Sequence, residues 1–169
     1  MRFEANIDLS EIESMVKAWP EVYRAETTSV LKLILERLES EVVPRTPGGV
    51  GGEAGLRGSY DNHVRASGEE IVGWFGSLLE YGIVVEMGRR PGQKMPPVAP
   101  IELWVRSILG ETDPKKARQI AFAIAVKIAK KGTEGKHMLE EGWGAMEPWA
   151  NRMLETIPER IIRRLSYGV

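Results

Sequence analysis

Tyr81-Gly-Ile-Val-Val-Glu-Met-Gly-Arg-Arg-Pro-Gly-Gln-Lys-Met-Pro-Pro-Val-Ala-Pro-Ile-Glu-Leu-Trp104 is the most constrained stretch of the 169-residue chain, and the rest reads as arranged around it. A short apolar run, residues 83–85, leads through Glu86 to Gly88, a residue that readily supplies the positive φ of a helix C-cap. Arg89 and Arg90 follow where they can face open helix carbonyls, and Pro91-Gly92 reads as a turn. Pro96-Pro97 and Pro100 hold the chain extended, because each proline fixes its own φ and biases the preceding residue away from helix. Pro100 can also open the next helix, in which Ile101, Trp104, Val105 and Ile108 fall at i, i+3, i+4 and i+7. The unit expected is helix or strand, rigid polar loop, helix.

A chain of this length with 43% hydrophobic residues can bury one well-packed core and is short for two. The absence of cysteine excludes disulfides and thiolate metal sites and fits a reducing compartment. The longest apolar run, residues 120–126, falls far short of the ~20 that span a bilayer, and no signal-peptide pattern opens the chain, so a soluble protein is expected. Net charge is −1 but uneven. Residues 1–43 hold nine acidic and five basic side chains, whereas residues 115–136 hold seven basic and one acidic. A solvated helix face accounts for the basic cluster more simply than a nucleic-acid surface, since aromatic and basic residues do not interleave there.

The periodicity predicts a short helix over residues 7–18, interrupted by Pro20, and a second helix to residue 43 that Pro44 ends. Leu31, Ile34, Leu35, Leu38 and Val42 supply its core stripe. Residues 44–55, with five glycines and two prolines, read as a flexible loop or an arm that orders against a neighbour. They are not a phosphate loop, because no Gly-Lys-Ser/Thr follows. Residues 56–66 and 69–77 read as two strands joined near Ser67-Gly68. Asp113-Pro114 starts a helix to about Lys131, apolar on two stripes and so expected to be nearly surrounded by protein, with Gly132 ending it. Residues 133–136 read as a turn, and a last helix is expected from near Pro148, with Pro158 kinking it or starting a final turn. The fold class is α+β: a small antiparallel sheet packed with several helices, a long N-terminal helix and a C-terminal helix. As domain organisation, residues 1–43 form a helical segment, 44–55 a loop, and 56–169 the α+β core of one domain overall.

Residues that carry chemistry are sparse. The two histidines, His63 and His137, belong to no metal-binding constellation, although His137 and Glu140 stand three apart. There is no Gly-x-Ser-x-Gly elbow and no Cys-His pair, and Glu69-Glu70 and Glu140-Glu141 are adjacent, which points each pair apart. No catalytic, cofactor-binding or metal-binding residue is assigned, and an enzyme is not expected. Glu86 is the unusual carboxylate, and an ion pair with Arg89 or Arg90, within a subunit or between subunits, explains it better than catalysis.

The order and spacing of Tyr81…Val85-Glu86-Met87-Gly88, Pro96-Pro97…Ile101…Trp104-Val105 and Ile128-Ala-Lys-Lys-Gly132-Thr133…Met138-Leu139 resemble a known family. It is that of the tail-completion or head–tail joining proteins of long-tailed bacteriophages, the group of lambda's minor tail protein Z. Leu56-Arg57-Gly58-Ser59 matches the Leu-Arg-x-Ser strand start of that family, and the match covers roughly residues 45–140. Arg89-Arg90-Pro91 departs from it, since many members carry threonine after the glycine. The resemblance implies a virion protein without catalysis or cofactor, assembled in the bacterial cytoplasm as a homo-oligomeric ring, a hexamer, that joins the capsid connector to the tail. Implied partners are connector or adaptor proteins and tail terminator or tail tube proteins, with DNA passing through the channel. Glu86, Gly88, Arg89, Arg90, Pro96, Pro97 and Trp104 are then the candidate assembly contacts. The basic segment 115–136 could face either DNA or an acidic protein neighbour. A tail terminator or other morphogenesis factor is the alternative, and a metal-dependent nuclease stands below both.

Overall fold

The computed structural model describes residues 10–48, 55–68 and 70–167. In chain order they form α1 (Ser10–Arg45), a 3-10 turn (Leu56–Gly58), β1 (Tyr60–Ser67), β2 (Glu70–Ser77), α2 (Tyr81–Met87) and β3 (Gly88–Arg89). Then come α3 (Val98–Ile108), α4 (Pro114–Lys131), β4 (Thr133–Glu134), α5 (Met138–Glu155) and α6 (Ile157–Tyr167). The fold is α+β as expected: β1 pairs only with β2, β3 only with β4, and helices make up the rest of the described elements. None of the described helices is long and apolar enough to cross a membrane.

The break expected at Pro20 does not occur, and α1 runs unbroken for 36 residues, about 54 Å at 1.5 Å per residue. A proline inside a helix loses one hydrogen bond and crowds the carbonyl four residues back, here that of Val16, at a cost of about 3 kcal/mol. Val16 and Pro20 are both exposed, so water can take that carbonyl. The apolar phase also runs straight through: Ile12, Val16, Trp19, Tyr23, Val30 and Ile34 lie on one face at ~100° per residue. Burial of Val30 and Ile34 on that face holds the helix together across the proline. Pro44 does not stop α1 at residue 43 as expected: the helix takes in Pro44 and ends at Arg45, two residues later, and Thr46 N donates to Val42 O at 3.0 Å. Residues 7–9 of the predicted first helix, and 49–54 of the glycine-rich loop, lie outside the described residues.

The chain divides into two compact units. The first takes the chain through Glu36, His63–Trp74 and the segment from Glu147 onward. Here Val22, Val30, Ile34 and Leu35 of α1 are buried, as are Ala150 of α5 and Ile161 of α6. Gly73 of β2 lies against Leu35, where an added Cβ would stand 3.3 Å from its Cδ1. Arg160 Nε and Arg164 Nη1 of α6 donate to Glu26 of α1 at 3.0 and 2.8 Å. These charge-assisted bonds, that of Arg164 first, hold the Glu26 carboxyl below its ordinary value of 4.5, against burial, which raises it.

The folded state therefore releases the Glu26 proton at lower pH than the unfolded chain does. Its stabilisation is fully present above about pH 4.5 and is lost as pH falls through the lower folded value. Urea midpoints measured from about pH 6 down to about pH 3 should fall for the natural protein and fall less steeply for Glu26→Gln. Parallel curves for the two proteins would contradict the pairing.

The second unit comprises Arg37–Asn62 and Phe75–Met146. The first three residues of the expected strand at 56–66 form the 3-10 turn instead, because Ser59 N closes on Leu56 O at 3.2 Å. Buried Thr46 ties this region together. Its carbonyl accepts from Arg57 Nε at 3.1 Å and Nη2 at 2.6 Å, and its hydroxyl lies 3.1 Å from that of Tyr60. Tyr60 stacks on Phe75 with ring centres 5.2 Å apart, and burial pushes its hydroxyl above the usual tyrosine range.

The helix at Asp113-Pro114 forms as read. Asp113 caps α4 by accepting from Lys115 N at 2.8 Å, and Gly132 ends it at φ 73°. It is not nearly surrounded by protein. Only its alanine face, Ala117, Ala121 and Ala125, is fully buried, the first two against Val105 of α3 with Val98, Ile101, Trp104 and Ile124 around them. Small alanines let α3 approach closely on one side, which leaves Phe122 on the other side 53% exposed.

The last helical region also differs from expectation, since α5 begins at Met138 and runs through Gly142, Gly144 and Pro148. Gly142 is a packing residue rather than a breaker: a Cβ there would stand 2.6 Å from Val42 Cγ2. Pro158 falls in the first turn of α6, where its missing N–H has no partner to lose.

Candidate functional site

The Tyr81–Trp104 stretch folds into a backbone crossing with residues 132–137. Met87 ends α2, and Gly88 takes φ 74° and ψ −168°, a conformation open essentially to glycine alone. Gly88 and Arg89 then pair antiparallel with Glu134 and Thr133, which makes the expected turn at 133–136 a strand at its start. Lys136 N donates to Val85 O at 2.8 Å, His137 N to Glu86 O at 3.1 Å, and Gly92 N to Ala129 O at 2.8 Å. Backbones lie so close here that an added Cβ would meet Thr133 O at 2.4 Å from Gly88, Arg89 O at 2.1 Å from Gly132 and Glu86 O at 2.4 Å from Gly135. Three glycines therefore let two chain segments touch without side chains between them.

The ion pair expected for Glu86 with Arg89 or Arg90 is not formed among the described residues. Its carboxylate instead accepts from Leu139 N at 3.2 and 3.1 Å and from Glu140 N at 3.3 Å. Those are the second and third residues of α5, whose first N–H groups have no partner within the helix, and a carboxylate there also meets the positive end of the helix dipole. Glu86 thus caps the first turn of α5 from outside that helix, its acceptor 53 residues before Leu139. His137, exposed and at φ 48°, immediately precedes that helix, and its Nδ1 lies 3.0 Å from Glu140 Oε2. Among the described residues no group of three or more His, Cys, Asp or Glu is placed to hold a metal ion.

Around the crossing opens a shallow groove of about 860 Å³, to which Gly88, Arg89, Arg90, Gln93, Glu134 and His137 contribute. Arg89 does not face helix carbonyls as expected: its Nη2 donates to Lys94 O and ties down the proline loop, while its buried Nε has no partner among the described residues. Arg90 is exposed. The structure thus brings Gly88, Arg89 and Arg90 to one groove and places Glu86 behind it as a cap. Pro96, Pro97 and Trp104 do not line that groove; Pro97 is the N-cap residue of α3, and Trp104 packs against the α3–α4 core. Beside the crossing, Ile83 and Met87, one turn apart on α2, are each 70% exposed, so α2 presents an apolar face that nothing among the described residues covers.

The sequence reading missed Gly132 and Gly135 as parts of this site. Their signal was present in Gly132-Thr-Glu-Gly135, two glycines bracketing a two-residue strand, but only the segment that crosses it gives them a purpose. No protein-family model matches the chain, and no curated protein and no solved structure matches it.

Proposed function

We propose that the chain is a structural subunit of a tailed-bacteriophage virion, a neck or tail-completion protein that forms a ring joining the capsid connector to the tail. The order of motifs described above supports this reading. The observation that carries it is the uncovered apolar face of α2, built on a glycine-locked crossing. An exposed Ile83–Met87 surface on a fixed backbone suits a permanent protein neighbour better than a diffusing substrate. In the assembled particle this surface and the Gly88–Pro100 loop contact the adjacent ring, and the virion is where the protein resides.

Light scattering coupled to size exclusion, followed by imaging, tests the proposal. A closed ring with a central channel is expected, either alone or on mixing with a connector. A monomer that joins neither connector nor tail would overturn the reading. Replacing Pro96 and Pro97 together by glycine loosens the loop that presents the contact, while removing little from the core. It should reduce joined particles at least about tenfold and cost only about 1–2 kcal/mol of stability. Equal loss of folding and joining would show that the prolines serve folding alone.

A further inference from the structure

Beyond α2, two surfaces lack a covering partner among the described residues, and they match each other. The first is the beginning of α1. Ile12, Val16 and Trp19 are 57%, 67% and 48% exposed and lie at i, i+4 and i+7. Glu11 and Glu13 stand about 100° to either side of Ile12 and flank the stripe with negative charge. Farther along α1 the same face is covered at Val30 and Ile34, so these first turns carry on an apolar stripe past the point where its cover ends.

The second surface is a groove of about 770 Å³ beside α4, lined by Val98 of α3 and by Lys115, Arg118, Gln119 and Phe122 of α4. Val98 and Phe122 give it an apolar floor, and Lys115 and Arg118 a basic rim. Neither basic side chain has an ion-pair partner among the described residues, and α4 contains no acidic residue at all.

We infer that the α3–α4 groove receives the first three turns of α1 from a second copy of this chain, with Val16 and Trp19 on Val98 and Phe122, and Glu11 and Glu13 on Lys115 and Arg118. An amphipathic helix in a groove needs anchors spaced i, i+4 and i+7, together with matching charge at the rim, and one chain supplies both halves. The two halves are different surfaces, so the contact is head-to-tail. Repeated around an axis, such a contact closes a ring or grows a filament. A nucleic acid would satisfy the basic rim, but phosphates gain nothing from Val98 and Phe122. The inference rests on the ring proposed above and names its lateral contact, whereas the α2 face meets the adjacent ring.

Exchange of charge provides the test. Glu11→Lys with Glu13→Lys sets a basic helix against a basic groove, and Lys115→Glu with Arg118→Glu sets acid against acid. Each double variant alone should lose the oligomer in light scattering while keeping its far-ultraviolet circular dichroism. Mixed in equal amounts, the two should recover it, because each helix then meets a groove of opposite charge in an alternating ring. Oligomers that persist in either variant alone, or a mixture that stays dissociated, would overturn the contact and leave the ring proposal standing. A natural protein that remains monomeric at every concentration and on a connector would overturn both. Loss of binding to a DNA oligonucleotide by Lys115→Glu with Arg118→Glu, with the oligomer intact, would assign the groove to nucleic acid and overturn the contact.

Discussion

Gly132→Ala is expected to destabilise the protein by about 4 kcal/mol, read as a lowered urea midpoint. Two effects add. Gly132 sits at φ 73°, which costs an alanine about 1–2 kcal/mol. The new methyl would also lie 2.1 Å from Arg89 O and 3.0 Å from Pro91 N, atoms of a backbone that cannot yield without pulling β3 off β4. Gly110 separates the two effects, since it has φ 72° and an added methyl there would have nothing within 4 Å among the described residues. Gly110→Ala should therefore cost only about 1 kcal/mol. Equal losses at Gly110 and Gly132 would mean that the close approach contributes nothing.

Gly142→Ala is expected to cost about 2 kcal/mol even though alanine is the better helix former by about 1 kcal/mol. The methyl would meet Val42 Cγ2 at 2.6 Å, and a β-branched valine with no exposed surface has no other rotamer to retreat to. Gly144, two residues on in the same helix, has open space around it, and Gly144→Ala should stabilise by about 0.5–1 kcal/mol. Val42→Ala makes room for the added methyl, so in that background Gly142→Ala should become neutral or favourable. The coupling expected between the two positions is roughly 2 kcal/mol, and a purely additive double mutant would place the contact elsewhere.

Helix ends set by their own residues were legible in the sequence. Asp113-Pro114 begins α4 and Gly132 closes it, because cap and terminator lie within one turn of the ends they serve. The α+β class and the core stripe Ile34, Leu35, Leu38 and Val42 followed from periodicity in the same way. Pro20 was misread because a breaker is a local cost, whereas the burial that outweighs it comes from residues far along the chain, and Pro148, read as a helix start, stands inside α5. Gly142 and Gly144 lie in the part of α5 ahead of the expected start, and Val42, which Gly142 accommodates, is a hundred positions earlier in sequence.

At the candidate site, Pro100, expected to extend the chain or open the helix, is the third residue of α3, which begins at Val98. The extended Pro96-Pro97 and the positive φ of Gly88 could be read directly. The partner of Glu86 could not. Two arginines three and four residues away made an ion pair the natural inference, and α5 lies 53 residues on. That helix was expected to start ten residues later than it does, so its unpaired N–H groups were never in view. The misplaced start of α5 therefore concealed the role of Glu86.

The two compact units are divided at Glu36, Asn62, Trp74 and Met146, and each of those positions lies inside a regular element: α1, β1, β2 and α5 in turn. Domains joined by linkers can melt one at a time, because a linker transmits no hydrogen-bond pattern. Here, unfolding either unit would leave the other holding two truncated helices and two truncated strands with frayed ends. Heat and denaturant should accordingly meet a single cooperative folding unit, with one calorimetric transition for the whole chain.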